Sequence, residues 1–323
     1  MHKVPVGVLG ASGYAGRELC GLIVQHPGLE LAFASANEQR GQRARVGASE
    51  VTYVATEDAP LSKAEVVFTA LPHGAAATWV GNARATGARV VDLSSDFRPG
   101  VDGGKQVRAP YGLTELMRAT IPGAEIVANP GCYPTAILIA IAPLLTEGWI
   151  VPGATINVTA ASGVTGAGYS VRPDLLFAEV AEDFRAYSVG NEHRHLAEMR
   201  AVASQLGAKD NDILFTPHLL PVARGILATI TVPVKQYVED PASLWRNCYQ
   251  GEPFIEIADQ PPSLRDVVRR NVVRLSVSKA ANVRQPTLII ISAIDNLMKG
   301  AAGQALQNAN VLLGLSEQAG LPA

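Results

Sequence analysis

Val4-Pro5-Val6-Gly7-Val8-Leu9, then Gly10-Ala11-Ser12-Gly13-Tyr14-Ala15-Gly16, then Arg17-Glu18-Leu19-Cys20-Gly21-Leu22-Ile23-Val24: an apolar run, a turn with glycine at every third position and a helical pattern follow one another at the start of the chain. The order predicts strand, turn and helix, the opening unit of an α/β fold with a parallel sheet. Each glycine has a physical use in a dinucleotide site. The first makes the turn, the second lets backbone N–H groups approach a pyrophosphate, and the third brings helix against strand. The spacing is GxxGxxG rather than GxGxxG, and a glycine-rich turn can be merely structural. Its place at the head of an αβ series favours the cofactor reading, with Gly10, Ser12, Gly13, Tyr14, Ala15 and Gly16 as candidate contacts.

Working outward, the second strand is expected at Leu29 to Ser35, ending where an adenosine ribose would sit. An acidic residue there would bind the 2′-hydroxyl of NAD. Instead Ser35, Ala36 and Asn37 are followed by Arg40, a neutral and cationic set that suits the 2′-phosphate of NADP. Glu30 stands at the strand's beginning, too far from the ribose to count. Strands at Glu65 to Ala70 and Ala88 to Leu93 lead into Leu71-Pro72-His73-Gly74 and Ser94-Ser95-Asp96-Phe97-Arg98-Pro99, loops on the carboxyl edge of the sheet, where ligands gather. His73 is a candidate cofactor contact there, and Arg98 a candidate anion clamp.

A further strand at Ile126-Val127-Ala128 delivers Asn129-Pro130-Gly131-Cys132-Tyr133-Pro134-Thr135 to the same edge, ahead of the apolar run Thr135 to Ile141. The pattern predicts a strand, a tight turn and a buried helix with Cys132 at its N-terminus. Pro134 suits a first helical turn, where a missing N–H costs little. A thiol there feels the positive end of the helix dipole, which favours thiolate and so a nucleophile. The stretch is equally compatible with a small cysteine packed as a hydrophobe.

The chain has 323 residues, 48% hydrophobic and 17% charged, which suits two globular domains. A net charge of -2 leaves no electrostatic footprint for nucleic acid or anionic membrane. Met1-His2-Lys3-Val4-Pro5 passes straight into a strand-like run, so a cytoplasmic protein is expected. Three widely spaced cysteines, Cys20, Cys132 and Cys248, indicate neither a disulfide framework nor a CxxC zinc site. Cys20 and Cys248 are expected to serve packing.

From Pro134 onward the pattern changes. Ala154 to Ala160 alternates as a strand and is followed by Ser162-Gly163-Val164-Thr165-Gly166-Ala167-Gly168, a loop able to present N–H groups to an anion. Later strands at Asp212 to Thr216, Ile226 to Val232, Val272 to Val277 and Thr287 to Ile294 predict a second domain with a mixed sheet. Gly190-Asn191-Glu192-His193-Arg194-His195-Leu196-Ala197-Glu198 and Pro217-His218-Leu219-Leu220-Pro221-Val222-Ala223-Arg224-Gly225 lie between them, and a last helix opens after Asn296-Leu297-Met298-Lys299-Gly300.

Taken together, GASGYAG at 10–16, ALPHG at 70–74, DLSSDFR at 92–98, NPGCYPT at 129–135, SGVTGAG at 162–168, HRH at 193–195, PHLLPVARGILATI at 217–230 and DNLMKGAAGQALQN at 295–308 resemble the N-acetyl-γ-glutamyl-phosphate reductase family. NPGCYPT and the PHLLP and RGI segments are specific; GxxGxxG is shared by many dehydrogenases. The resemblance spans the whole chain and implies a semialdehyde dehydrogenase-like α/β fold. Its Rossmann-type NADP-binding domain would comprise residues 1–133 and 297–323, and a substrate and dimerisation domain residues 134–296. It departs at Tyr169, where the family has arginine, with Arg172 following, and at Leu196-Ala197, where a proline is lost and Glu198 kept.

The resemblance implies an NADPH-dependent reductase of a small acyl phosphate in arginine biosynthesis, working as a homodimer or homotetramer. The charge, the hydropathy and the lack of further ligand-spaced residues lead us to expect no nucleic acid, membrane or metal partner. Cys132 would attack the acyl phosphate, and His193 would serve as proton donor and hold the thiolate by ion pairing. His195 would point the opposite way on a strand. Ser162, His195, Glu198, His218 and Arg224, with Arg98, are the implied substrate contacts, Glu198 as an orienting carboxylate. Gly163, Asn296, Lys299 and Gly300 are the implied cofactor contacts. Three alternatives remain: an aminoadipyl phosphate on a carrier protein, an NADP-binding redox sensor without turnover, and a zinc site on the two histidines and Cys132.

Overall fold

The computed structural model describes residues 3–46, 49–101 and 109–323; Met1 and His2 of the expected N-terminal lead-in lie outside them. The chain divides into two compact units, Met1–Gly131 with Ala301–Pro322, and Cys132–Gly300.

The first unit opens with β1 (Val4–Leu9), α1 (Tyr14–Gln25) and β2 (Leu29–Ala34). A hairpin of β3 (Arg43–Val46) and β4 (Ser49–Thr52) precedes β5 (Val66–Thr69), α2 (Ala76–Ala85), β6 (Arg89–Asp92), the short α3 (Thr114–Met117) and β7 (Ile126–Ala128). The sheet order is β2-β1-β5-β6-β7, every pair parallel. Parallel strands covered on both faces need nearly continuous apolar runs, and β5 is buried at all four positions. The direction of strand addition reverses between β1 and β5, the point at which open α/β sheets bind ligands at their carboxyl ends.

The second unit begins with α4 (Cys132–Thr146), followed by β8 (Thr155–Gly163), the short α5 (Phe177–Val180), β9 (Arg185–Ala186), α6 (His195–Gln205), β10 (Asp212–Leu220) and β11 (Ile226–Pro233). After them come α7 (Ser243–Cys248), β12 (Ile255–Ile257), β13 (Val273–Lys279) and β14 (Thr287–Ile294). Seven strands form one mixed sheet, β12-β13-β14-β11-β8-β10-β9. Two expected boundaries move. β8 runs on through Ser162 and Gly163, and β10 through His218 to Leu220, because the two strands pair in parallel over their whole length.

Every residue of α4 from Tyr133 to Leu145 is buried. A helix apolar all round can be stable only inside a core, and each fully buried Ile or Leu there contributes roughly 1.5–3 kcal/mol. Pro143 sits inside it and supplies no N–H to the carbonyl of Ile139. That carbonyl accepts the Tyr249 hydroxyl instead, at 2.6 Å, and the Trp245 indole N–H binds the next carbonyl, Ala140, at 2.8 Å. This explains why packing was misassigned to Cys248: Trp245 and Tyr249 are buried against α4, whereas Cys248 between them is exposed. Cys20 does pack as expected, on α1, where burial pushes its thiol up to about 12.

The last helix, α8 (Gly303–Leu313), belongs to the first unit, where Ala302, Ala305, Leu306, Ala309 and Leu312 join the core with α1 and β1. It is preceded by a π-helical turn, Met298–Ala302. Among the described residues no helix is long and apolar enough to cross a membrane.

Candidate active site

In the first unit the Gly10–Gly16 turn is shaped by contacts that a side chain would prevent. Gly10 has φ +78°, and a Cβ on it would lie 2.4 Å from the Ala70 carbonyl oxygen. One on Gly16 would lie 2.3 Å from the Gly10 oxygen. At Gly13 the nearest atom, the Gly10 oxygen, would be 3.7 Å away, an ordinary contact that leaves room for a Cβ. Gly13 is the N-cap of α1, no side chain caps the helix, and its first turn carries no acidic residue. The start of a twelve-residue helix without an N-cap side chain or an acidic first turn is the kind of backbone donor set on which a pyrophosphate can be bound. Ser12 and Ala15 are half-buried beside the turn and Tyr14 is exposed.

Ser35 and Arg40, both expected at the ribose, have different surroundings. Ser35 lies just past β2, fully buried, with its hydroxyl bonded to Thr56 Oγ1 at 3.1 Å. Arg40 is exposed, its guanidinium reaching the Asn37 carbonyl at 3.5 Å. Asn37 is also exposed, and its Oδ1 accepts the Thr56 N–H at 2.7 Å.

His73 touches the Ser95 hydroxyl and lies 3.2 Å from Asp96 Oδ1. Asp96 also accepts the N–H groups of Gly74 and Ala76, so it caps α2 and fixes the His73 loop. Arg98 is turned inward, 7% exposed, donating to the carbonyls of Asn129 and Leu93 at 2.7 Å each. It therefore braces the turn before Cys132, together with Asn308, which donates to Asn129 Oδ1 at 3.0 Å.

In the second unit Cys132 is the first residue of α4, half-buried, as the glycine-cysteine-proline pattern requires. The neighbouring Tyr133 is buried, and its hydroxyl meets that of Tyr187 at 3.1 Å. Burial, with Tyr187 and Cys132 adding, pushes the Tyr133 phenol far up, so it stays protonated. The Tyr133 ring stands edge-on to His193, centroids 5.3 Å apart, and His193 also meets Tyr187, Phe215 and His195 edge-on.

The strand geometry expected for the histidines is wrong. His193 lies in a turn and His195 opens α6, so the rings do not point apart; their centroids are 4.8 Å from each other. His193 Nδ1 accepts the His195 backbone N–H at 3.1 Å. A nitrogen that accepts cannot carry the proton, which assigns the neutral ring's hydrogen to Nε2. Burial, and Arg194 beside it, bring His193 down to about 4. The resting site thus holds a neutral imidazole with an N–H to donate, not the imidazolium that ion pairing would need. His195 and Glu198, one turn apart on α6, are both buried.

His218 lies on β10, its ring stacked on Phe184 at 5.0 Å. Ser162 is buried, its hydroxyl donating to the Gly163 carbonyl at 3.1 Å. Gly163 is pressed against backbone: a Cβ would meet Val222, Ala223 and Arg224 main-chain atoms at 2.8 Å. Arg224 pairs through Nε with Asp295 Oδ2 at 2.9 Å. Asn296 accepts the Gly225 N–H at 2.7 Å and donates to Thr165 Oγ1 at 2.9 Å, tying two expected ligand loops together. Lys299 is fully buried, its ammonium 5.3 Å from the Phe254 ring centroid. Gly300 lies against Cys132: a Cβ there would be 2.8 Å from Cys132 Cβ.

Three neighbours of these groups escaped the sequence reading. Tyr133 and Asp295 sit inside quoted motifs, next to Cys132 and Asn296, and adjacency was the available signal. Tyr187 follows a segment without periodicity, and nothing local points to it.

Residues 5–124 match the semialdehyde dehydrogenase NAD-binding domain and residues 132–296 the semialdehyde dehydrogenase dimerisation domain. The chain is 40% identical to an N-acetyl-γ-glutamyl-phosphate reductase of Symbiobacterium thermophilum, over 98% of this chain and 97% of that protein. It is 39% identical to one of Desulforudis audaxviator, over 98% of each. Among solved structures, aspartate semialdehyde dehydrogenase II of Vibrio cholerae, complexed with ASA, superposes with a TM-score of 0.77 at 20% identity, over 97% of this chain and 99% of that one. The aspartate semialdehyde dehydrogenase of Candida albicans with NADP gives 0.67 at 15% identity, over 96% and 98%. The solved structures share the fold, and the full-length relatives carry the assignment: this chain belongs to the N-acetyl-γ-glutamyl-phosphate reductase family of the semialdehyde dehydrogenases.

Proposed function

We propose that this protein reduces N-acetyl-γ-glutamyl phosphate to N-acetyl-glutamate 5-semialdehyde and phosphate, using NADPH, through a thioester on Cys132. The observation that carries the reading is the placement of Cys132 at the N-terminus of the buried helix α4, within a chain alike over its full length to reductases of that name. The helix terminus itself favours thiolate, and a neutral His193 is compatible with that.

The Cys132 thiolate attacks the acyl carbonyl, the tetrahedral oxyanion collapses, and phosphate leaves. Bound NADPH supplies the hydride that reduces the thioester carbonyl. His193 Nε2–H donates a hydrogen bond to the oxygen that becomes negative and keeps its proton. The tetrahedral alkoxide formed by hydride addition therefore collapses directly: the C–S bond breaks, Cys132 departs as thiolate and the aldehyde is released. Glu198 orients the imidazole pair. Arg224, His218, Ser162 and His195 receive the anionic substrate, while Arg98 acts one step back, by holding the Asn129 carbonyl.

The cofactor is held at the uncapped start of α1 by Gly10, Ser12, Gly13, Tyr14, Ala15 and Gly16, with Arg40 beside the 2′-phosphate and His73 on the next loop. Ser35 supports that edge through Thr56. Gly163, Asn296, Lys299 and Gly300 shape the loops and turn facing the reaction. In this reading residues 1–133 with 297–323 serve the cofactor, and residues 134–296 serve substrate and self-association. The protein works as a homodimer or homotetramer in the cytoplasm, an assembly supported by partly open apolar positions on one face of the mixed sheet, among them Leu214, Leu227, Ile289 and Ile291.

The test runs the reaction backwards: purified protein, NADP+, N-acetyl-glutamate semialdehyde and phosphate. Phosphate-dependent NADPH formation that disappears in Cys132→Ala supports the reading. Turnover only with aminoadipate semialdehyde moves the substrate to the longer acid, and no turnover with either sinks it.

A further inference from the structure

Asp295 directly follows β14, is fully buried, and belongs to neither the proposed chemistry nor the proposed substrate contacts. Its carboxylate is divided between two duties. Oδ2 accepts Arg224 Nε at 2.9 Å and the Arg269 backbone N–H at 2.6 Å. Oδ1 accepts the N–H groups of Leu297 and Met298 at 2.8 and 3.2 Å, the start of the π-helical turn. The Asp295 carbonyl in turn accepts the Gly300 N–H at 2.9 Å, and Gly300 is the residue whose missing Cβ makes room for Cys132. Asp295 therefore meets both a candidate substrate cation, through its carboxylate, and the wall behind Cys132, through its carboxylate at Leu297 and Met298 and its main-chain carbonyl at Gly300.

We propose that Asp295 is a positioning residue: one carboxylate oxygen orients Arg224 toward an anionic group of the substrate, and the other holds the turn that keeps Gly300 against Cys132. The first half rests on the function proposed above, in which Arg224 receives the substrate; the second half does not. A buried guanidinium without its carboxylate would lose its orientation and part of its hydrogen bonding, so the consequence falls on binding. A displaced Gly300 would move the thiol, so the consequence falls on the chemical step.

Two substitutions separate the duties. In Asp295→Asn the remaining carbonyl oxygen stays with Leu297 and Met298, the local Asx-turn acceptor position, and an NH2 group faces the two Arg-side donors. Asp295→Ala abolishes both. Asp295→Asn is expected to raise KM for the semialdehyde at least about tenfold while kcat falls less than about threefold. Asp295→Ala is expected to lose kcat as well. In the double variant Asp295→Asn with Arg224→Lys, KM should be no worse than in Arg224→Lys alone, because Asp295 acts through Arg224.

Equal losses of kcat and KM in both Asp295 variants, with parallel falls in Tm, would mean a merely structural role and overturn the proposal. So would multiplicative effects in the double variant. Should the asparagine variant fail to fold, Asp295→Glu keeps the charge and moves it by a methylene; a wild-type KM there overturns the proposal. If wild type shows no phosphate-dependent turnover, the functional reading fails and the second duty remains measurable. Iodoacetamide labelling of the Cys132 peptide, followed by mass spectrometry, should then change more than about threefold in Asp295→Ala and stay near wild type in Asp295→Asn; equal rates in all three proteins sink it.

Discussion

At the Gly10–Gly16 turn the candidate contacts for a ligand are main-chain groups, whereas beside Cys132 the candidates are side chains, packed among Tyr133, Tyr187, His193, His195 and Phe215. The first is defined by where a Cβ cannot be, and the second by which rings pack together. A backbone site should fail when bulk is added in the wrong place and ignore most other changes. A side-chain site should fail when a functional atom is removed, even at constant shape.

The largest expected effect separates the two regions. Cys132→Ala should lower turnover by about 10⁴-fold or more, since no other group supplies the covalent step. NADP affinity, followed by protein fluorescence, should stay within about twofold, because the proposed pyrophosphate contacts are main-chain groups of the Gly10–Gly16 turn. A parallel loss of cofactor affinity would break the distinction between the two sites.

His193→Asn comes next, with kcat down about 10²–10³-fold, the range for loss of one positioned hydrogen-bond donor to a developing oxyanion. His195→Asn, measured beside it, decides which ring of the packed pair donates; a larger loss at His195 would transfer the role. The pH dependence of stability tests the environment of His193 independently of turnover. Its folded value of about 4 lies below the ordinary 6.5, so the unfolded chain takes up the proton first as pH falls. Wild type should therefore lose about 2 kcal/mol relative to His193→Asn between neutrality and about pH 4, a figure reduced for partial exposure. Denaturant midpoints that run parallel across that window would place the imidazole in water.

The glycines give the sharpest contrast between bulk and function. Gly300→Ala puts a methyl on the Cys132 Cβ and should cost about 10²-fold in kcat, the scale of a 1 Å misplacement. Gly16→Ala collides with the Gly10 carbonyl and should cost about 1–3 kcal/mol of stability. Gly13→Ala meets nothing within 3.7 Å and should change stability by less than about 1 kcal/mol. It should still weaken NADP binding about tenfold or more, if the added methyl costs a charged hydrogen bond to the pyrophosphate. Identical stability losses at positions 13 and 16 would remove the argument that Gly13 faces a ligand.

How much of this was readable in advance follows the same division. The first sheet, its glycine turn and the start of α4 at Cys132 are local events, written in runs of β-branched residues and in glycine and proline positions. The histidines were misread because HRH has no periodicity of its own: a strand was assumed, but α6 begins at His195 and folds both rings to one side. The neutral state of His193 goes with its burial among Tyr133, Tyr187 and Phe215, and these come from α4, the residue after β9, and β10. Arg98 was legible as important, not as buried, because its partners are carbonyls that the strand pattern does not single out. Cys248 was placed by the company of Trp245 and Tyr249, and a six-residue helix turns it the other way.

The smallest expected effect tests whether the ring cluster works by shape or by its polar edge. Tyr187→Phe keeps the ring against His193 and removes only the hydroxyl paired with Tyr133 at 3.1 Å. Tyr133 is left with the distant His218 carbonyl at 3.5 Å and the Ser162 side chain, so the loss should be about 1 kcal/mol in stability, the net worth of one hydrogen bond. If the ring is what holds His193, kcat should move less than about threefold while Tyr187→Ala loses far more, because the latter opens a cavity beside the imidazole. A Tyr187→Phe variant with wild-type stability and a collapsed kcat would instead put the hydroxyl on the substrate, and the site beside Cys132 would then need one more polar atom than its packing accounts for.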